Sequence, residues 1–246
     1  MKPPRVQVLG VGVDCVDMAG ALDAIERLAE EPGEHLVATV NPEFVMRASA
    51  DPAFAAVLRA ADLCLPDGAG VVWAARRRGA RLERVAGADL VPGVASLCAS
   101  RGWPIFFLGA GPGVGETAAA ALAAAAPGLK VAGVHAGSPA AEDDEVSLGL
   151  IRERSPRILL VAYGAPRQEL WIQRHRGRLG VPVAIGVGGA LDFLSGRAAR
   201  APRWMRRAGL EWLHRLAREP WRARRMAVLP LFAVRVLKEA RGPRRA

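Results

Sequence analysis

A chain of 246 residues with 51% hydrophobic content is long enough to bury a full core, as one domain or as one domain with an appendage. Its net charge of +10 is unevenly placed: residues 197–246 hold fifteen basic and three acidic residues, whereas residues 1–196 carry only −2. Cys15, Cys64 and Cys98 are odd in number, widely spaced and form no CxxC pair, which argues against a disulfide frame or a zinc site and for a reducing compartment. The apolar run Val6–Val13 is too short for a signal peptide and is followed at once by Asp14. Met226–Leu237, interrupted by Pro230 and Arg235, falls short of the roughly 20 apolar residues that span a bilayer, so a cytoplasmic protein is expected.

In chain order, VQVLGVGVDCVD begins as a strand, and Asp17 caps a helix from Met18 to about Glu30. His35–Val40 reads as a second strand, followed by Asn41-Pro42-Glu43 and a helix; Pro52–Ala60 reads as another helix. Leu63–Gly70 is a strand running into a glycine-rich turn, Gly70–Arg78 a helix, and Arg84–Leu90 a link to a helix ending near Arg101. Pro104–Gly109 is a strand, GAGPGVG a loop, and Glu116–Ala126 an alanine-rich helix. Lys130–Gly137 is the next strand, with a helix from about Ala141 to Arg154. Two apolar runs ending in glycine, Ile158–Gly164 and Val183–Gly189, each pass directly into helical spacing. Strands alternating with helices imply right-handed crossovers and a doubly wound, mostly parallel α/β sheet of Rossmann-like type. The composition change near Gly196 divides an α/β domain (1–196) from an Arg/Trp-rich helical appendage (197–246).

Ligands of open α/β sheets bind along the C-terminal strand edge. Two strands end there in Thr39-Val40-Asn41-Pro42-Glu43 and Pro66-Asp67-Gly68-Ala69-Gly70. A carboxylate among glycines, beside hydroxyl and amide groups, can act as a general base; Thr39, Asn41 and Asp67 are also good helix caps, and that reading competes at each of them. The loop containing Gly109, Gly111, Gly113 and Gly115 fits either a phosphate-binding turn or a plain strand–helix turn. Its spacing departs from GxGxxG and no acid ends the following strand, which disfavours a dinucleotide. Gly164-Ala165-Pro166-Arg167-Gln168-Glu169 starts a helix with Pro and Glu where they belong, but capping does not account for Tyr163 and Gln168, the latter suited to a nucleobase or a sugar amide. The run through Gly188 offers a second anion-favouring turn.

No metal site is expected. The four histidines are scattered, no Asp-x-Asp occurs, and Glu142–Glu145 reads as a solvated helix start. His175 and His214 are expected to face solvent. In the tail, Met205, Ala208, Trp212 and Leu216 follow helical spacing between Trp204 and Arg218, with arginines on much of the remainder. Arg/Trp amphipathic helices suit an anionic bilayer surface; nucleic acid is the rival partner, but LPLFAVRVL favours lipid. Packing of the tail on the body is the third reading.

The strings TVNPE (Thr39–Glu43), PDGAGV (Pro66–Val71), RVAGADL (Arg84–Leu90), FFLGAGPGV (Phe106–Val114), YGAPRQELWI (Tyr163–Ile172), GVGGALDFLSG (Gly186–Gly196) and RAPRWMRRAGLEWLHRLAREPWRARR (Arg200–Arg225) occur in that order. Together they resemble the WecG/TagA/CpsF family of bacterial glycosyltransferases, from about Val6 to Arg225. The resemblance implies an inverting transfer, needing no metal or other cofactor, from a UDP-sugar to an undecaprenyl-diphosphate-linked amino sugar. N-acetylmannosamine or its uronic acid is the implied sugar, and teichoic acid or another surface polysaccharide the product. By position it implies Asp67 as general base, Thr39 and Asn41 as polar groups beside it, and Arg215, Arg222 and Arg225 near the diphosphates. Arg84 and Asp89 of RVAGADL join the substrate-binding set with Gly68 and the strand-end glycines. The implied location is the inner face of the plasma membrane, docked by the tail, with no nucleic acid. Oligomeric state is left open, a homo-oligomer included. A nucleotide-sugar-binding regulator without chemistry, or an Arg-rich nucleic-acid-binding protein, remains as the alternative.

Overall fold

The computed structural model describes residues 2–220 and 223–239, the side chains of Arg207, Arg224 and Arg225 excepted. Its N-terminal stretch is a hairpin of β1 (Arg5–Val8) and β2 (Val11–Asp14), joined at Leu9–Gly10, where both residues have positive φ. Two such residues give the turn whose twist matches that of paired strands. The stretch begins as a strand, as its sequence indicates, and the turn at Leu9–Gly10 adds a second strand that the sequence reading did not separate. Helix α1 (Met18–Glu30) follows, capped as expected by Asp17, whose side chain accepts from Gly20 N.

Six parallel strands form the central sheet: β3 (His35–Val40), β4 (Leu63–Pro66), β5 (Pro104–Gly109), β6 (Lys130–His135), β7 (Ile158–Ala162) and β8 (Val183–Gly186). Their spatial order is β4-β3-β8-β7-β5-β6. The last strand therefore lies between the first and the fifth, at the centre. All six carboxyl ends lie on one edge. Both faces are covered, which is why the central strands read as continuous apolar runs rather than alternating ones. Leu36, Ala38 and Val40 face one core and Val37 the other; Leu159 and Val161 oppose Ile158 and Leu160 in the same way.

On one face lie α1, α5 (Gly87–Arg101), α6 (Val114–Ala125) and α9 (Ala190–Leu194). On the other lie α2 (Pro42–Ala48), α3 (Pro52–Ala60), α4 (Ala69–Arg76), α7 (Asp144–Arg154) and α8 (Arg167–His175), with the hairpin. Helix α5 begins inside RVAGADL, and α6 begins two residues before the Glu116 expected from sequence. A short 3-10 turn at Ala141–Asp143 precedes α7. Cys64 and Cys98 are core residues whose thiols burial pushes up to about 12, and all three cysteines are free.

The tail departs most from its sequence pattern. The single amphipathic helix expected from Trp204 to Arg218 is two, α10 (Arg203–Arg207) and α11 (Glu211–Arg218), broken at Gly209. Gly209 has φ +73 and lies against Ala69, where a Cβ would stand 2.6 Å from the Ala69 methyl. A side chain there would be both strained and blocked. After α12 (Ala223–Met226), α13 (Val228–Glu239) packs on α2 and α4, burying Phe232 and Val236 in the main core. No described helix is long and apolar enough to cross a membrane.

Two groups expected in solvent are inside. Asp144 accepts from Trp171 Nε1 at 2.8 Å and from Arg174 at 2.9 Å, and His175, 3% exposed, has Nε2 3.1 Å from the same carboxylate. The sequence suggested exposure because both sit in charged strings; burial is tolerated because they pair with each other. Elsewhere, fully buried Asp14 binds Arg5 through two bonds of 2.8 and 2.7 Å and accepts from Cys64 N at 2.6 Å, tying the hairpin to β4. Asp14→Ala leaves a part-buried guanidinium and a buried N–H without their acceptor. A loss of about 3 kcal/mol is expected, read as a lower urea midpoint at unchanged slope.

Candidate active site

The carboxyl ends of the strands and the C-terminal helices enclose a cleft of about 740 Å³. Its floor is supplied by the residues following β3, β4, β7 and β8, and by Ala110 and Gly111 after β5. One wall is the tail: Gly209, Glu211, Trp212 and Arg215 near α11, then Met226, Leu229 and Phe232. Described residues of the tail from Gly209 to Ala233 thus contribute to the cleft.

Each candidate from β3 and β4 has a distinct place. Thr39 is buried, its Oγ1 donating to the Gly186 carbonyl at 3.0 Å, so it pins β3 to β8 at the cleft floor. Asn41 caps α2 by accepting from Phe44 N at 3.1 Å, and it lines the cleft as well. Asp67 does not cap α4; Gly68, with φ +89, takes the cap position and makes no side-chain bond. The Asp67 carboxylate therefore faces the cleft, with 24% of the side-chain surface open. Burial pushes it up to about 6, against the opposing charge of Arg84; Glu211 and Asp89 add to the rise.

Arg84 Nε lies 3.9 Å from Asp67 Oδ1, and Arg84 Nη2 donates to Glu211 Oε2 at 2.6 Å. Asp89 is held below the usual carboxylate range by Arg200, which grips it through bonds of 2.5 and 3.0 Å. Asp89 does not line the cleft; it latches the segment before α10 onto α5. Arg215 stacks over Phe193, 4.9 Å from the ring centroid, and reaches the turn after β8, where a Cβ on Gly189 would stand 2.9 Å from its Nη2. Arg222 lies outside the described residues, as does the side chain of Arg225.

The second half of the sheet supplies the remaining candidates. Gln168 is 1% exposed, and its Oε1 accepts from Gly164 N at 3.0 Å and Gly188 N at 3.1 Å, bracing two strand-end turns against each other. Its Nε2 donates to Glu169 at 2.6 Å. Glu169 lies beneath the cleft rather than in it, and burial raises its carboxyl to about 7. Gly109 and Pro166 do not line the cleft, whereas Gly111, Gly164 and Gly188 do. Tyr163 lines the cleft with its ring against Trp171, and burial pushes its hydroxyl up to about 12, with Ser147 opposing.

Contributors missed in sequence include Glu211, Trp73, Phe193 and Phe232, which line the cleft, and Arg197, which lies beside a lining glycine. Arg197 reaches Gly111, where a Cβ would stand 2.6 Å from its Nη1. Glu211 was detectable in principle, as the lone acid between Arg197 and Arg218 in an otherwise basic run. Among the described residues, no group of three or more His, Cys, Asp or Glu is placed to hold a metal ion.

A partly buried carboxylate in a strand-end cleft that Arg84 and Arg215 also line suits proton removal next to a developing anion. The chain is 36% identical over 208 residues to the N-acetylglucosaminyldiphosphoundecaprenol N-acetyl-beta-D-mannosaminyltransferase of Bacillus subtilis (strain 168), covering 84% of this chain and 80% of that protein. It is 31% identical over 245 residues to the protein of the same name from Staphylococcus aureus (strain MRSA252), covering 98% and 96%. Residues 6–246 match the model of the glycosyl transferase WecG/TagA/CpsF family. The chain belongs to that family of glycosyltransferases.

Proposed function

We propose that the protein transfers N-acetylmannosamine, or its uronic acid, from a UDP-sugar to an undecaprenyl-diphosphate-linked N-acetylglucosamine, with inversion and without a metal ion. The observation that carries the reading is Asp67: a carboxyl raised to about 6 at the open end of a strand, facing the cleft with Arg84 3.9 Å away. A base that ionises near neutral pH holds a proton well enough to accept one in the transition state. Asp67 takes the proton of the acceptor hydroxyl as its oxygen bonds to the anomeric carbon. The bond from that carbon to UDP breaks, and the electron pair leaves with the diphosphate. Arg215 then meets the developing negative charge, a task that guanidinium geometry fits. The names of the relatives in Bacillus subtilis and Staphylococcus aureus support the acceptor and the sugar.

The same reading places the protein on the inner face of the plasma membrane, docked by its tail. Trp204 and Leu213, 65% and 43% exposed, sit on the arginine-bearing helices α10 and α11, and Leu231 and Val234 on α13 are each more than 40% exposed. Exposed apolar residues beside cations favour an anionic bilayer, since nucleic acid gains little from the former. One assay tests the whole reading. A panel of UDP-sugars is offered with EDTA, the acceptor being carried in anionic or in zwitterionic vesicles. EDTA-resistant transfer from one donor, faster on anionic vesicles, is expected. Donor binding without transfer from any sugar would favour a binding regulator instead.

A further inference from the structure

A chain of opposite charges runs from the tail to the cleft. Arg206 and Arg200 meet Asp89, Arg200 Nε lies 3.5 Å from Glu211 Oε1, Glu211 Oε2 accepts from Arg84, and Arg84 reaches Asp67. Glu211 is central to this chain and is itself 14% exposed in its side chain. It belongs to α11, whereas Arg84 and Asp67 belong to the body. The contact of 2.6 Å between Arg84 and Glu211 is a full charge-assisted bond, while that of 3.9 Å between Arg84 and Asp67 is not a hydrogen bond. The guanidinium is therefore committed to the tail rather than to the carboxylate in the cleft.

We propose that Glu211 is a positioning residue: seated by the docked tail, it draws the Arg84 guanidinium off Asp67, so that the carboxylate is an effective base only while α11 is in place. The role as base rests on the glycosyl-transfer reading; the coupling itself does not. Without Glu211, Asp67 is the acid nearest to Arg84 Nε, because Asp89 is already gripped by Arg200 and Arg206. A fork-to-fork pair would occupy the oxygens that should accept a proton and would lower their proton affinity. The groups facing Asp67 divide in sign. Arg84 and the Gly68 N–H favour its ionised form, and Glu211 and Asp89 oppose it. Arg215, on the helix that carries Glu211, lies instead against Phe193 and the turn after β8. Lifting the tail removes Glu211 and releases Arg84 together, and both changes weaken the base.

The test follows Asp67 itself, by carbon NMR of the full chain labelled at the aspartate carboxyls, with Asp67→Asn identifying the resonance. Glu211→Gln is expected to lower the Asp67 midpoint by about 1 pH unit. Arg84→Met, which removes the cation and leaves Glu211, is expected to raise it. Arg206→Ala removes a cation 3.7 Å from Asp89 while Arg200 still holds both Asp89 and Glu211, and should leave the midpoint within a few tenths of a unit. An unmoved midpoint in both Glu211→Gln and Arg84→Met overturns the proposal, as does an Arg206→Ala shift as large as that of Glu211→Gln. In parallel, the acid limb of kcat/KM should move down with the midpoint in Glu211→Gln. If the wild type transfers no sugar yet Glu211→Gln still lowers the midpoint, the coupling holds and the transferase reading is what falls.

Discussion

Asp67→Asn lowers sugar transfer by about 10²–10⁴-fold while leaving donor binding intact, the range expected when a positioned general base is removed. The amide keeps the shape of the side chain but cannot take a proton from the acceptor hydroxyl. In the wild type, activity should rise with pH through about 6, where Asp67 loses its proton, and the acid limb should vanish from the residual rate of the variant. Stability carries the opposite sign. Folding raises this carboxyl from its ordinary value of 3.8 to about 6, so the folded state binds more protons across that window and stability falls as pH rises through it. Asn removes that burden. The variant should therefore melt no lower than the wild type at pH 7, which separates lost chemistry from lost fold in a single thermal scan. A fully active Asp67→Asn protein would send the search for a base to the acceptor itself.

Arg215→Ala is expected to cost about 10²–10³-fold in the chemical step, comparable to deleting one preorganised donor to a developing anion. Single-turnover rates at saturating donor read this directly, because the substitution removes an interaction that strengthens as the diphosphate departs. Arg215→Lys should recover only part of the rate: the charge returns, but the planar fork does not. The side chain is held for this task by the Phe193 ring and by a 3.3 Å bond from Nε to Glu219 one turn along α11. Equal loss of rate and of donor affinity would instead assign Arg215 to ground-state binding. Both substitutions lie where the body and the tail meet, and deleting residues 197–246 should abolish transfer even to a soluble acceptor. That deletion also strips the cover provided by Phe232 and Val236, so the point substitutions are the cleaner experiments.

Much of this was legible in the sequence because the relevant rules are local. Short apolar runs bounded by glycine gave parallel strands buried on both faces, and Asp17 and Asn41 announced helix starts by the bonds their side chains make to the next turn. Aligning strand ends was enough to group Thr39, Asn41 and Asp67 on one edge before any contact was known. Even there the chemistry split the group: Asn41 is a cap, Thr39 a strand tie, and only Asp67 keeps its carboxylate turned to the cleft. That distinction required the positive φ of Gly68, which takes the cap position from its neighbour.

Other features were decided by tertiary structure alone. Strand order is one, because a period of two says which residues are buried and nothing about which strand lies alongside. The placing of β8 beside β3 is what brings Gly186 to Thr39 and Gly188 to Gln168. Burial of charge is another: Asp144 and His175 sit in strings that read as solvated, and only the fold supplies each with the other. The tail is the clearest case. A basic, tryptophan-containing segment has the same pattern whether it faces lipid, nucleic acid or its own protein. Its amino acids determined that it would be cationic and helical. The fold determined that Gly209 would break it against Ala69, that Phe232 would anchor it, and that Glu211 would reach Arg84, because those contacts join residues more than a hundred positions apart.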